Sequence, residues 1–409
     1  MSKTCLSSGL LITLALASLP AASVAVPFRT PVVAAIIDGA VDCRHPDLAK
    51  CVWTNEAEEH GTVGIDDDGN GLVDDIHGWN LSGGNGELFD YHQLPADDRE
   101  QKALGSELDA FDVLLQEMPD LTKVVELALC YGGSVEVMKR WTFLGELSHG
   151  THCAGLLMKN TVSKFSVLRL IPGSDADPVP NRTPLPTQAE QEAEAGQLAA
   201  AFSYLHRNKV RVVSVSLGAQ VSQMKQFLAE EFRDEKLADR CSREMMACGT
   251  AIWKSAIRRH PEMLFVMSAG DGGGDLQGDD TDLPEEFHLP SGLDLPNLVS
   301  VTACDRATGR IPGFSNYGRR SVHLAAPGIS ESSAVPGGGY ARMSGTSAAA
   351  PNTANAAIRI LEINPRLAPD QVKQILLAGT KSWGGPPLAS GGCLDLEKCL
   401  ELAVRSLTP

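Results

Sequence analysis

Apolar positions along this 409-residue chain fall into two alternating kinds of segment. Aliphatic or β-branched runs at 32–37, 165–170, 210–217, 263–268, 298–303 and 321–325 have strand length and read as strands. Small-residue or amphipathic stretches at 149–159, 187–208, 222–258, 347–362 and 368–378 repeat at helical spacing. Strands alternating with helices predict an α/β domain, a mainly parallel sheet with helices on both faces, extending over about 26–409. In such a sheet, reactive groups belong at the carboxyl ends of strands, where Asp38 and the turn after Met267-Ser268 fall. Further helical runs lie near 107–117 and 119–129, and the Pro-rich stretch 172–186 reads as a surface loop.

Charge and cysteine content narrow the classes. The net charge of −16, from 35 basic and 51 acidic residues without a basic block, argues against nucleic-acid binding, because phosphate contacts need clustered Lys and Arg. Residues 1–25 carry only Lys3, then an apolar stretch from Leu10 to Leu19, then Ala-Ser-Val-Ala ending at Ala25. That is the pattern of a cleaved signal peptide, too short for a bilayer span, and it predicts a secreted or periplasmic protein with no stable membrane span. Of ten cysteines, loss of Cys5 with the signal leaves nine, so at least one thiol stays free. Cys43 with Cys51, and Cys393 with Cys399, are near enough across loops to bridge. Cys241 and Cys248 on one continuous helix would be about 10 Å apart, too far for a bond.

Three segments carry the chemistry: VVAAIIDGAVD at 32–42, LSHGTHCAGLL at 147–157 and YARMSGTSAAAP at 340–351. A hydroxyl nucleophile needs a base to take its proton and a carboxylate to orient that base, and Asp38, His149 and Ser347 supply the three in the order Asp, His, Ser. HPDL at 45–48, FSNYG at 314–318 and LAAPG at 324–328 accompany them. Together these motifs resemble the subtilisin-like serine proteases, especially bacterial secreted members and the proteinase K branch. The resemblance implies a three-layer subtilisin-like fold and a secreted, monomeric serine endopeptidase acting on protein or peptide substrates through an acyl-enzyme, with Asp38, His149 and Ser347 catalytic. It also places Cys153 as a free thiol on the helix of His149. A zinc reading of HGTH lacks a third ligand and a general-base Glu, and no G-x-S-x-G elbow surrounds Ser347.

Several positions depart from the family. Asp38-Gly39-Ala40 stands where Asp-Thr-Gly or Asp-Ser-Gly is usual, which removes a hydroxyl beside the carboxylate. In SAGDGGG at 268–274, Asp271 occupies the place of the Asn that donates to the tetrahedral oxyanion alongside the backbone N–H of Ser347. An ionised carboxylate only accepts hydrogen bonds. Either Asp271 is kept protonated and its O–H donates, or the chain is an attenuated homologue that binds peptides. VVSVSLG at 212–218 resembles the edge strand that pairs with extended peptide, with Ser216, Leu217 and Gly218 facing Ser268, Ala269 and Gly270 across a primary pocket suited to apolar side chains.

Two further features lie outside the triad. Asp66, Asp68, Asn70 and Asp74, with Gly71, match a calcium loop, although its twelfth position is His77 instead of Glu; the stretch reads as a structural Ca2+ site or as an acidic surface turn closed by glycines, and no cofactor is required for the chemistry. Residues 86–146 and 219–260 exceed the family's usual spacing. They are packed decoration, or one is a groove rim or internal inhibitor. No separate pro-domain is evident between Ala25 and Val32.

Overall fold

A computed structural model describes residues 29–95, 97–117, 135–170, 185–272, 277–382 and 384–407. The expected signal segment 1–25, the helical run at 119–129 and nearly all of 172–186 lie outside the described residues. The strands are β1 (Val33–Asp38), β2 (Gly78–Asn80), β3 (Lys164–Arg169), β4 (Val210–Val215), β5 (Ala219–Gln220), β6 (Leu264–Ser268) and β7 (His288–Leu289). They continue as β8 (Leu298–Cys304), β9 (Leu324–Pro327), β10 (Glu331–Val335), β11 (Gly339–Met343), β12 (Thr380–Ser382) and β13 (Gly392–Leu394). The helices are α1 (Glu56–Glu59), α2 (Asp98–Glu117), α3 (Val135–Met158), α4 (Gln188–Arg207), α5 (Val221–Phe232), α6 (Glu235–Arg258), α7 (Thr346–Ile363), α8 (Pro369–Ala378) and α9 (Leu396–Arg405).

Nine of the strands form one sheet in the order β12-β13-β9-β8-β6-β4-β1-β3-β2, parallel throughout except where β12 meets β13. Alternate side chains of each central strand go to opposite faces, so both faces can be buried. Ala34 and Ile36 of β1 join Val212, Val266 and Val301 under α3, α7, α8 and α9. Ala35 and Ile37 join Val213, Val215, Phe265 and Met267 under α4 and α6. This gives the expected three layers. The axial helix α7 approaches the sheet closely because its buried face is Ala348, Ala349, Ala350, Ala354, Ala356 and Ala357. Its far end is fixed by Glu362, fully buried, which pairs with Arg29 and accepts from Val162 N and Ser163 Oγ at 2.7 Å each.

Four expectations need correction. The stretch 222–258 is not one helix: Arg233 takes a left-handed conformation (φ 54°), and Asp234 accepts from Lys236 N and Leu237 N to start α6 afresh. The helix of His149 begins at Val135 instead of 149, because Leu144 keeps helical spacing upstream and packs with Leu104, Leu108, Val335 and Ala341. Residues 210–215 are an interior strand between β1 and β6, not an edge, so only 216–218 beyond its end are free to meet a peptide backbone. Finally, neither expected cysteine pair is bridged. Cys51 Sγ donates to the carbonyls of Asp47 and Leu48, Cys399 faces those of Ile375 and Gly379, and Cys393 donates to Gly309 O.

Candidate active site

Asp38 ends β1 at its carboxyl terminus with no exposure to solvent. Its Oδ1 accepts from the Gly39 amide at 2.7 Å and from His149 Nδ1 at 2.6 Å. Its Oδ2 is buried and has no hydrogen-bond partner among the described residues, in keeping with Gly39 where a hydroxyl residue is usual. Because Nδ1 must donate to the carboxylate, the imidazole lone pair lies on Nε2, the edge a base needs. Burial pulls the His149 pKa down, yet the Asp38 carboxylate, aided by Cys153, outweighs it and holds the group well above its ordinary value.

Ser347 is the second residue of α7, behind Gly345 and Thr346, where the helix dipole favours developing negative charge. Four residues on stands Pro351, which has no N–H, so the Ser347 carbonyl is released from the helix ladder. That carbonyl instead accepts from Ser216 Oγ at 3.0 Å and Cys153 Sγ at 3.2 Å. Cys153 in turn lies 4.0 Å from His149 Nδ1. The thiol thus ties the backbone of Ser347 to the helix of His149, and burial pushes its own pKa up, as expected of an inert packing thiol. Ser347 Oγ is not hydrogen-bonded to His149 here; such contacts commonly tighten only once substrate is bound. His152 is drawn away from the chemistry, its Nε2 against Glu331 O at 2.8 Å and its pKa lowered to about 4 by burial.

Asp271 stands just past β6, and its Oδ1 accepts from the Thr346 amide at 2.9 Å, one residue before Ser347. Its Oδ2 lies 3.1 Å from where a Cβ on Gly345 would be. Desolvation in this crowded position raises its pKa to about 6, against the pull of the Thr346 hydrogen bonds and of His149. The backbone of Asp271 is held by Gln223 of α5, whose Nε2 donates to Asp271 O at 3.1 Å. Residues 216–218 and 268–270 lie at the ends of adjacent strands β4 and β6, with Gly218 exposed.

The acidic loop is only partly as expected. Carboxylate oxygens of Asp66, Asp68 and Glu58 converge within 4.8 Å of one another. Asp74 turns elsewhere: in a left-handed conformation (φ 57°) it accepts from Gly64 N at 2.9 and 3.1 Å. Asn70 Nδ2 donates to Asp68 Oδ2 at 2.9 Å, placing its amide beside the cluster. Glu58, from α1, was not singled out by the loop motif, since it lies upstream in Asn55-Glu56-Ala57-Glu58.

The chain matches the subtilase family over residues 29–390 and belongs to it. Subtilisin-like protease 1 of Plasmodium falciparum (isolate 3D7) is 24% identical over 389 residues, which is 91% of this chain and 43% of that protein. Serine protease AprX of Bacillus subtilis (strain 168) is 25% identical over 275 residues, 61% of this chain and 57% of that one. The chain therefore spans roughly half the length of these relatives. Among solved structures, a lanthipeptide protease aligns at TM-score 0.52 and 17% identity over 91% of this chain and 87% of its own. The epidermin leader peptide processing serine protease of Staphylococcus aureus aligns at 0.51 and 17%, over 92% and 77%. These likenesses bear out the subtilisin-like fold. Among the described residues, no helix is long and apolar enough to cross a membrane.

Proposed function

We propose that this chain is a secreted or periplasmic serine endopeptidase in which Asp38, His149 and Ser347 hydrolyse peptide bonds. The observation that carries the reading is the 2.6 Å contact from His149 Nδ1 to Asp38 at the carboxyl end of β1, linked through Cys153 to the backbone of Ser347. Ser347 Oγ attacks the scissile carbonyl carbon while His149 Nε2 takes the hydroxyl proton, and Asp38 stabilises the resulting imidazolium. The tetrahedral oxyanion is met by the Ser347 N–H and by Asp271 in its protonated form. As the C–N bond breaks, His149 returns the proton to the leaving amine. Water then attacks the acyl-enzyme with His149 again as base, releasing the acid and restoring Ser347.

A fluorophosphonate probe should label the wild-type chain at Ser347, found by peptide mapping, and labelling should be lost in His149→Ala. A wild-type chain that resists the probe while binding peptides would establish the alternative, an attenuated homologue, which the carboxylate at 271 favours.

Calcium is proposed for the 55–75 loop. Its oxygens fit a hard cation, and Asp68 is kept ionised: burial works against it, but hydrogen bonds from Asn55 and Asn70 lower its pKa. Glu58, Asp66 and Asp68 would be the ligands, with Asn70 adjacent, and Asp74 would act through the Gly64 turn. Chelator should lower the melting temperature by several degrees, reversed by excess Ca2+, as for any ion that binds only the folded state. An unchanged melt in chelator would remove the ion from the account.

A further inference from the structure

His288 lies in β7, paired antiparallel with β5, which directly follows Ser216-Leu217-Gly218. This pairing (Gln220 with His288, Ala219 with Leu289) accompanies an imidazole set against Gly218 and Gly270, which the sequence places on the two walls of an expected primary pocket. A Cβ added to Gly218 would stand 2.2 Å from His288 Cε1 and 2.7 Å from Nε2; one added to Gly270 would stand 2.6 Å from Cδ2 and 2.7 Å from Nε2. The Nε2 edge of the ring is therefore wedged between the two glycines. Gly270 is further confined to glycine by its φ of +92°.

The ring is not free to swing out. It is 4% exposed, and its Nδ1 is 2.7 Å from Ser291 Oγ, itself buried. Beside it, Asn316 is fully buried, and its Nδ2 donates to Gln220 Oε1 and to Ala269 O at 3.1 Å each, which holds the two walls together. We propose that His288 forms the floor of the primary specificity pocket and limits this peptidase to small P1 side chains, glycine, alanine or serine, on the acyl side of the scissile bond. The inference rests on the peptidase reading above and narrows its substrate class. Seating a leucine or phenylalanine would require the imidazole to leave a slot bounded by two backbones and to lose its bond to Ser291. Burial lowers the His288 pKa to about 4, so at neutral pH the floor is uncharged and offers no ion pair to an acidic or basic P1 group. The proposal narrows the expected apolar preference of an uncharged pocket to small side chains.

The test compares kcat/KM on internally quenched peptides identical except at P1 (Gly, Ala, Ser, Leu, Phe), using wild type and His288→Ala, with fluorophosphonate labelling and a thermal melt on each. Wild type should favour Ala over Phe by at least about 10-fold, and His288→Ala should raise the Phe-to-Ala ratio by about 10- to 100-fold, the range that one cavity-sized change in a pocket supplies. The wild-type profile alone is decisive should the variant not fold: cleavage after Phe or Leu as fast as after Ala overturns the assignment. A folded, labelled variant with an unchanged ratio overturns it as well, while the peptidase reading stands. Failure of wild type to label overturns both.

Discussion

Ser347→Ala should lower kcat on a peptide substrate by about 10⁶-fold with little change in melting temperature, because the proposed mechanism forms the acyl-enzyme on this hydroxyl, which makes no structural hydrogen bond among the described residues. The fold around position 347 depends on its backbone carbonyl, held by Ser216 and Cys153, which alanine retains. Asp38→Asn gives a complementary result, a loss of about 10⁴-fold, since an amide disturbs both the tautomer and the orientation of His149. It should also move the rise of kcat/KM with pH to lower pH: the Asp38 carboxylate is the main group that lifts the His149 pKa, and without it burial is opposed by Cys153 alone. A Ser347→Ala protein that kept a hundredth of the wild-type rate would place the nucleophile elsewhere.

The parts of this site that could be read from sequence are those whose chemistry is local. Asp38, His149 and Ser347 each sit at the end of an element that the hydrophobic pattern already delimits, and their flanking motifs are contiguous. Alternation of apolar strands and helices likewise fixes the layered sheet, because nearly every residue of β1, β3, β4 and β8 is buried on both faces. The parts that escaped depend on contacts between distant segments. His288 carries no motif, and only the pairing of β5 with β7 brings it beneath Gly218 and Gly270. Glu58 enters the acidic loop from a separate helix, and Asp74 leaves it through one left-handed residue. Cysteine proximity along the chain misled for the same reason: Cys399 lies on α9 facing carbonyls of Ile375 and Gly379 at the end of α8, away from Cys393 on β13.

Asp271→Asn should be a gain of function. The proposed mechanism needs His149 neutral, to take the Ser347 proton, and Asp271 protonated, to donate to the oxyanion. The order of titration opposes this. Asp271 gives up its proton near pH 6, whereas His149 gives up its proton above its ordinary value near 6.5, so on raising the pH the carboxyl ionises first. The competent arrangement, one proton on Asp271 and none on His149, is then a minor microstate of the singly protonated pair, and kcat/KM should trace a bell between the two pKa values. An amide supplies its donor at every pH. In Asp271→Asn the alkaline limb should disappear, kcat/KM should rise through the His149 pKa to a plateau, and the gain on that plateau should approach the 10²–10³-fold worth of one oxyanion donor. The gain should shrink below about pH 6, where the wild-type carboxyl already carries its proton. The substitution is isosteric and keeps a side-chain oxygen for the Thr346 amide, so the melting temperature should hardly change. Rate measurements from pH 5 to 10 on both proteins decide it: an unchanged rate and an unchanged profile would put Asp271 outside the oxyanion hole.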